Sequence, residues 1–310
     1  GPPVGGVLPD PSQINVGSVV SDNVMEDGGH IYQEGAGVLA STVRSATISH
    51  NIIHHFNYTG VSIGWSWSYG NTSVADLDVS FNDISYIGNG VLSDMGCIYS
   101  LGHQPGTVVN NNLCSNVESY NYGGWGLYTD QASRDITYSN NIVHSTKCAG
   151  IHQHFGLNNT FVNNVLANVN LGDMDGVVRS SRHPGVCTNW VHPTGAAGQC
   201  SSFHLDTNIF VAVDEHMLMQ TISDGYDNVT LTENTYWTLA DPANLTFPDG
   251  MTWSQWTAAG RDKGSGVEDP QFVNATAGDF AVKPSSPALA RGFHQIDTSD
   301  VGPRVAVGVN

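Results

Sequence analysis

Apolar positions along most of the chain come in short phrases spaced two apart, such as Ala46-Thr47-Ile48-Ser49 and Leu77-Asp78-Val79-Ser80, and each phrase is bounded by asparagine or glycine. Spacing of two is strand spacing, whereas a helix would repeat at three and four. The phrases recur. Gly60-Val61-Ser62-Ile63-Gly64, Gly96-Cys97-Ile98-Tyr99-Ser100, Gly126-Leu127-Tyr128-Thr129-Asp130, Gly150-Ile151-His152-Gln153-His154 and Gly176-Val177-Val178-Arg179-Ser180 share one pattern, their glycines 36, 30, 24 and 26 residues apart. A second marker, an asparagine with an apolar residue two places on, falls at Asn23, Asn51, Asn82, Asn111, Asn140, Asn163, Asn208 and Asn234. One short strand phrase every 20 to 50 residues is the signature of a solenoid. An asparagine at a repeated turn tolerates left-handed backbone and can bond the copies above and below it. The expected fold is all-β, a right-handed parallel β-helix.

The repeat sets the organisation. Residues 1–240 are expected to be β-helix coils, clearest from Ser41 to about Asn170, and the long step from Asn163 to Asn208 contains an insertion at about 180–202. Beyond Trp237 the repeat stops, and 241–310 reads as an irregular C-terminal cap, with a short helix carrying Trp253 and Trp256 before Phe272, Phe280 and Phe293. An open solenoid end exposes unpaired backbone, so a cap is expected. No comparable cap precedes the first coil, so a partner chain or a further segment is expected to cover that end. The start, Gly1-Pro2-Pro3, reads as processed.

Composition narrows the partners. Charged residues are only 12% of the 310, and 28 acids against 10 bases give a formal charge of −18. That disfavours nucleic acid and anionic membranes, and argues mildly against a polyanionic substrate. The longest apolar runs fall short of a membrane span. Sequons at Asn57, Asn71, Asn158, Asn228, Asn244 and Asn274, with few lysines, point to a secreted glycoprotein. Of five cysteines, Cys187 and Cys200 flank a loop rich in Gly and Ala and are the expected disulfide. Cys97 and Cys114 lie one phrase and one turn apart, Cys148 is left over, and buried thiols are the alternative for all of them. No spacing resembles a metal site, and no cofactor is expected.

Alternate residues of each rung face outward and stack on the next coil about 4.8 Å away. Aligning the phrases on their glycines gives one outward column of Ser62, Ile98, Tyr128, His152 and Val178, and another of Gly64, Ser100, Asp130, His154 and Ser180. Asp94 lies just before one rung; Trp65 and Trp67 lie just past another. Two carboxylates with histidines, a tyrosine and flanking tryptophans suit glycoside hydrolysis, in which one acid protonates the leaving oxygen and the other attacks or activates water. Bland roles compete with this. Asp130 also fits a cap of the turn before Arg134, Asp94 a backbone bond in its tight corner, and the histidines an ordinary stack.

The segments Phe56 to Trp65, Gly90 to Gly96, Gly106-Thr107-Val108-Val109, Tyr122 to Asp130 and Gly150 to His154 resemble the large right-handed β-helix group of the pectin-lyase-like superfamily, close to family 141 of the glycoside hydrolases. That family contains α-L-fucosidases and xylanases. The resemblance runs from about Val19 to Arg304 and implies catalytic aspartates at Asp94 and Asp130; the shared outward face offers Trp65, Trp67, Tyr128, His152 and His154 as substrate-binding residues. Two departures stand out: Gln131-Ala132-Ser133 replaces an acidic residue followed by Gly-Ser, and family enzymes are much longer. The expectation is therefore a secreted hydrolase of a plant- or algal-type cell-wall glycan. A non-catalytic glycan-binding or structural coat protein is the alternative. A lyase fits less well, since the basic residues near this face are Arg134, Lys147 and Arg179.

Overall fold

A computed structural model describes residues 11–172, 175–181, 203–220 and 229–304. Among these, three parallel sheets of nine, seven and eight strands wind into a right-handed β-helix, each strand pairing with its equivalent one coil on. The register shows why these phrases fold this way. In the seven-stranded sheet Val38, Val61, Ile98, Leu127, Ile151, Val178 and Leu218 occupy one inward row. Ile53, Ile84, Cys114, Val143, Leu166, Phe210 and Tyr236 form the matching row of the nine-stranded sheet. Ile48, Val79, Val109, Tyr138, Phe161, Leu205 and Leu231 form that of the eight-stranded sheet. The rows meet in one continuous core. Burial of like residues along the axis is the main driving force, at about 25 cal/mol per Å² of apolar surface.

An asparagine ladder, buried from Asn51 onward, edges this core, and it is not quite the ladder expected. Asn23, Asn51, Asn82, Asn112, Asn141, Asn164, Asn208 and Asn234 stack, each side-chain oxygen accepting from the amide and the backbone N–H of the asparagine before it. Asn111, Asn140 and Asn163 stand one place earlier, at the left-handed residue of the same turn (φ 53°, 54° and 56°). In the doublets Asn111-Asn112, Asn140-Asn141 and Asn163-Asn164 the first residue suits the turn and the second builds the ladder. Ser265 closes it, its hydroxyl accepting from Asn234 N–H at 2.8 Å.

Cys97 and Cys114 form a disulfide inside the core, while Cys187, Cys200 and Asn228 lie outside the described residues. The C-terminal segment does two things. Leu245, Phe247 and Trp256 pack into the end of the core, the helix Trp253–Ala258 starting from a capping box of Thr252 and Gln255. The buried Asp262 accepts from Tyr236 Oη at 2.9 Å and Trp256 Nε1 at 2.7 Å, and holds this cover on the last coil. From about Pro270 the chain leaves the end and runs back along the outside of the nine-stranded sheet. Phe280, Val282, Ala288, Phe293 and Ile296 cover Ile142, Val165, Ala167, Ile209 and Val211. The tail reaches the first coils, where Gly302 N–H bonds Phe81 O and Arg304 pairs with Asp22. The C-terminal segment is thus a cover followed by a side strap. At the other end, Val19, Val24 and Leu39 of the first coil are exposed on edge strands.

Candidate active site

The outward face of the seven-stranded sheet carries the chemistry, with a register that departs from glycine alignment. Tyr99, Tyr128, His152 and Arg179 are direct neighbours, above Ser62. Ile98 and Val178, expected outside, are fully buried in the inward row. Gly96 and Gly176 are each followed by two apolar residues before the outward one, so alignment on glycine slips by one at those rungs. Ser100 and Ser180 likewise turn inward. The position facing His154 is Ser181.

Aromatic stacking runs down this column. Tyr99 and Tyr128 are parallel with centroids 4.7 Å apart, Tyr128 and His152 stack at 5.2 Å, and Trp125 meets His152 edge-on at 4.2 Å. The two tyrosine hydroxyls go to different carboxylates: Tyr99 Oη donates to Asp130 Oδ2 at 2.5 Å, and Tyr128 Oη to Asp94 Oδ1 at 3.0 Å. His154 Nδ1 lies 3.3 Å from the other oxygen of Asp130. Asp94 sits at a left-handed corner (φ 56°), its N–H bonding Tyr122 O and its carbonyl accepting from Tyr58 Oη. The backbone oxygen of Asp130 takes Ser133 N–H in the following turn, leaving its carboxylate to Tyr99 and His154.

Burial raises the Asp94 carboxyl above its ordinary value; the Tyr128 hydrogen bond opposes this and the Asp130 charge adds to it. Tyr58 is pushed up to about 12 by burial, then by Asp94 and Asp130, and Tyr122 is raised by the same three causes. Both carboxylates therefore act on one cluster of phenols. Burial lowers His154, against the pull of Asp130 and Asp94.

The segment Trp65 to Thr72 crosses the face. Tyr69 Oη bonds Phe155 O at 2.7 Å, Gln131 Nε2 bonds Trp67 O at 3.0 Å, and Thr72 Oγ1 bonds His103 O at 2.5 Å. Trp65 meets Tyr99 edge-on at 6.5 Å and Trp67 at 5.2 Å, with Trp67 facing solvent. This cover leaves Asp130 only 6% exposed, while Asp94 is half-buried. Sequence reasoning missed Tyr99, Tyr58, Tyr69 and Tyr122, and named Arg179 only as a base near this face. Tyr99 and the place of Arg179 in the column lie behind the register slip; Tyr58 and Tyr69 reach partners 36 and 86 residues away, and Tyr122 joins through its carbonyl on Asp94 N–H.

Among the described residues no group of three His, Cys, Asp or Glu side chains could hold a metal, and no helix is long and apolar enough to cross a membrane. A concavity of ≈ 350 Å³ between Trp237, Leu239, Phe272 and Lys283 lies where the strap meets the last coils.

No family model matches the chain, and no curated protein does. Solved structures do. A glycoside hydrolase is 22% identical over 55% of this chain and 28% of its own length, with a TM-score of 0.45. The A-module of the mannuronan C-5 epimerase AlgE6 of Azotobacter vinelandii is 13% identical over 83% of this chain and 59% of its own, with a TM-score of 0.47. A XylC structure in complex with xylose is 11% identical over 84% and 49%, with a TM-score of 0.45. The chain thus spans between 28% and 59% of these neighbours.

Proposed function

We propose that the chain is a secreted carbohydrate-active β-helix, a glycoside hydrolase in which Asp94 and Asp130 are the reacting pair. The observation that carries this is the pair of stacked tyrosines, each hydroxyl bonded to a different carboxylate. Asp94, raised by burial, is the acid: it gives its proton to the glycosidic oxygen as the C–O bond breaks. Asp130, fixed between Tyr99 and His154, is the nucleophile, or the base that takes a proton from water. Hydroxyls about one rung apart, with bonds of 2.5 and 3.0 Å to their carboxyls, keep the two bonded oxygens within about 10 Å of each other, which admits both retaining and inverting geometries. Product stereochemistry decides between them. Trp65, Trp67 and the exposed Tyr122 offer ring faces for sugars.

Support for secretion is the Cys97–Cys114 disulfide and the exposed sequon asparagines Asn71, Asn244 and Asn274. By contrast Asn57 and Asn158 use their amides on Gly29 O and Asp135. The inward residues of the first coil, Val20, Met25 and Val38, are only half-buried, which supports a cover at that end, a partner or another segment.

The test is release of oligosaccharides from neutral and acidic plant and algal polysaccharides, read by mass spectrometry for the wild type, Asp94→Asn and Asp130→Asn. Turnover that falls at least 1,000-fold in both variants is the expected result. Equal turnover in either variant removes that residue from the mechanism. A second reading, a non-catalytic glycan-binding or coat protein, is favoured by the burial of Asp130 beneath the Tyr69 segment; it predicts glycan binding without turnover.

A further inference from the structure

One side chain in the aromatic column is unmatched. His152 is 3% exposed, and neither of its ring nitrogens has a hydrogen-bond partner. The surrounding polar atoms are engaged elsewhere: Tyr128 Oη with Asp94, Trp125 Nε1 with Asp175 at 2.9 Å, and His154 Nδ1 with Asp130. Burial, with Arg179 alongside, holds the imidazole well below its ordinary pKa, so the ring is neutral and offers one donor and one acceptor. Arg179, the register partner of His152 one coil on, is in a similar state: its Nη1 pairs with Asp175 while its Nε is buried without a partner.

Two unmatched polar groups on consecutive rungs, about 4.8 Å apart, each carry a penalty of about 1 to 3 kcal/mol. A position needed only for packing would suit an aromatic hydrocarbon, as Phe161 and Phe210 do in the core rows of the other two sheets. Among the described residues Thr59 Oγ1, Gln104 Oε1, Ser119 Oγ and Arg134 Nε are also buried without a hydrogen-bond partner, but His152 and Arg179 stand apart as register partners in the outward column that carries Tyr99 and Tyr128. Unpaired groups that persist beside two candidate catalytic carboxylates point to a ligand.

We infer that His152 and the Arg179 Nε form a hydroxyl-recognising subsite beside Asp94 and Asp130, matched only when a sugar is bound. The inference rests on the glycan reading of this face but not on turnover. The ligand group is an uncharged hydroxyl. Among the described residues Arg179 already pairs with Asp175, Lys147 with Glu118 at 3.3 Å and Arg134 with Asp135 at 3.5 Å, so each of these cations is neutralised by its own acid. A carboxylate would also meet the charge of Asp130. Access is past His154, whose side chain is 34% exposed and stacks on His152 at 5.3 Å.

His152→Phe tests this, because the phenyl ring keeps the stack and brings no unmatched nitrogen. Binding is measured by calorimetry in the Asp94→Asn background, with xylan and galactan oligosaccharides as neutral probes and oligogalacturonate as the anionic one. A melt is recorded for each variant. The expected result is binding of a neutral probe at least tenfold tighter than the uronate, reduced at least tenfold by His152→Phe, with a melting temperature equal to or above the parent. Unchanged binding in His152→Phe overturns the inference, and a lowered melting temperature alongside it assigns the nitrogens to an internal water. Equal binding of the uronate, or no binding of any probe, overturns it too. Failure of the hydrolysis reading shows separately, as wild-type protein that binds a probe without cleaving it.

Discussion

Replacing Asn112 by alanine removes the middle rung of the ladder, and the structure sets the size of the effect. The Asn112 oxygen accepts from Asn82 N–H at 3.1 Å and Asn82 Nδ2 at 2.9 Å. Its amide donates to Val79 O at 2.9 Å, Asn110 O at 3.2 Å and Asn141 Oδ1 at 3.0 Å. Five bonds at a net value of about 1 kcal/mol each, with Asn82 N–H left buried and unpaired, give a loss of roughly 3 to 6 kcal/mol. Against a total stability of about 5 to 15 kcal/mol this is a large fraction. Equilibrium urea unfolding followed by tryptophan fluorescence measures it, with a melting temperature expected to fall by about 5 to 15 °C. Asn121→Ala, at an exposed asparagine outside the ladder, is expected to stay within about 0.5 kcal/mol of wild type. A loss under about 1 kcal/mol for Asn112→Ala would refute the ladder as a source of stability.

Three further outcomes follow from the same structure. The Cys97–Cys114 disulfide closes a segment with a sequence separation of 17, so the double alanine variant should lose about 3 kcal/mol in the same urea assay. His152 has a folded pKa below its ordinary 6.5, so the unfolded chain takes up a proton that the folded one refuses. Its contribution to stability is complete above pH 6.5 and declines as pH falls, at up to about 1.4 kcal/mol per unit; melts from pH 7 to 5 should fall more steeply in wild type than in His152→Phe. Phe293→Ala, in the side strap, should cost about 3 to 5 kcal/mol if strap and sheet form one core. It should also speed hydrogen exchange in 287–304, whereas unchanged exchange would separate the strap from the fold.

The fold was legible because a solenoid writes one local phrase many times: the spacing of Val61, Leu127 and Ile151 after their glycines states the inward row directly. What was illegible came from one-residue differences and distant contacts. Gly96-Cys97-Ile98 and Gly176-Val177-Val178 put two apolar residues after the glycine, and that slip hid Tyr99 and Arg179 behind Ile98 and Val178. The asparagine doublets hid the ladder in the same way, since both members have an apolar residue two places later. The strap had a signal that went unread: Ile142-Val143, Val165-Leu166-Ala167 and Ile209-Phe210-Val211 are apolar on both strand faces, which a sheet needs only when its outside is covered. Tyr69 reaching Phe155 O, by contrast, has no local trace at all.

The coupling of Asp94 to Asp130 is the most direct point of attack on the account as a whole, because the site exists only if the two carboxyls sense each other. Carboxyl-carbon NMR titration of Asp94, in wild type and in Asp130→Asn, measures it without any substrate. Asp94 is predicted to titrate above the ordinary aspartate value of 3.8 and to move downward in Asp130→Asn, since the Asp130 charge is one of the causes that raise it. An Asp94 that titrates at its ordinary value and does not respond to Asp130→Asn would contradict the paired site.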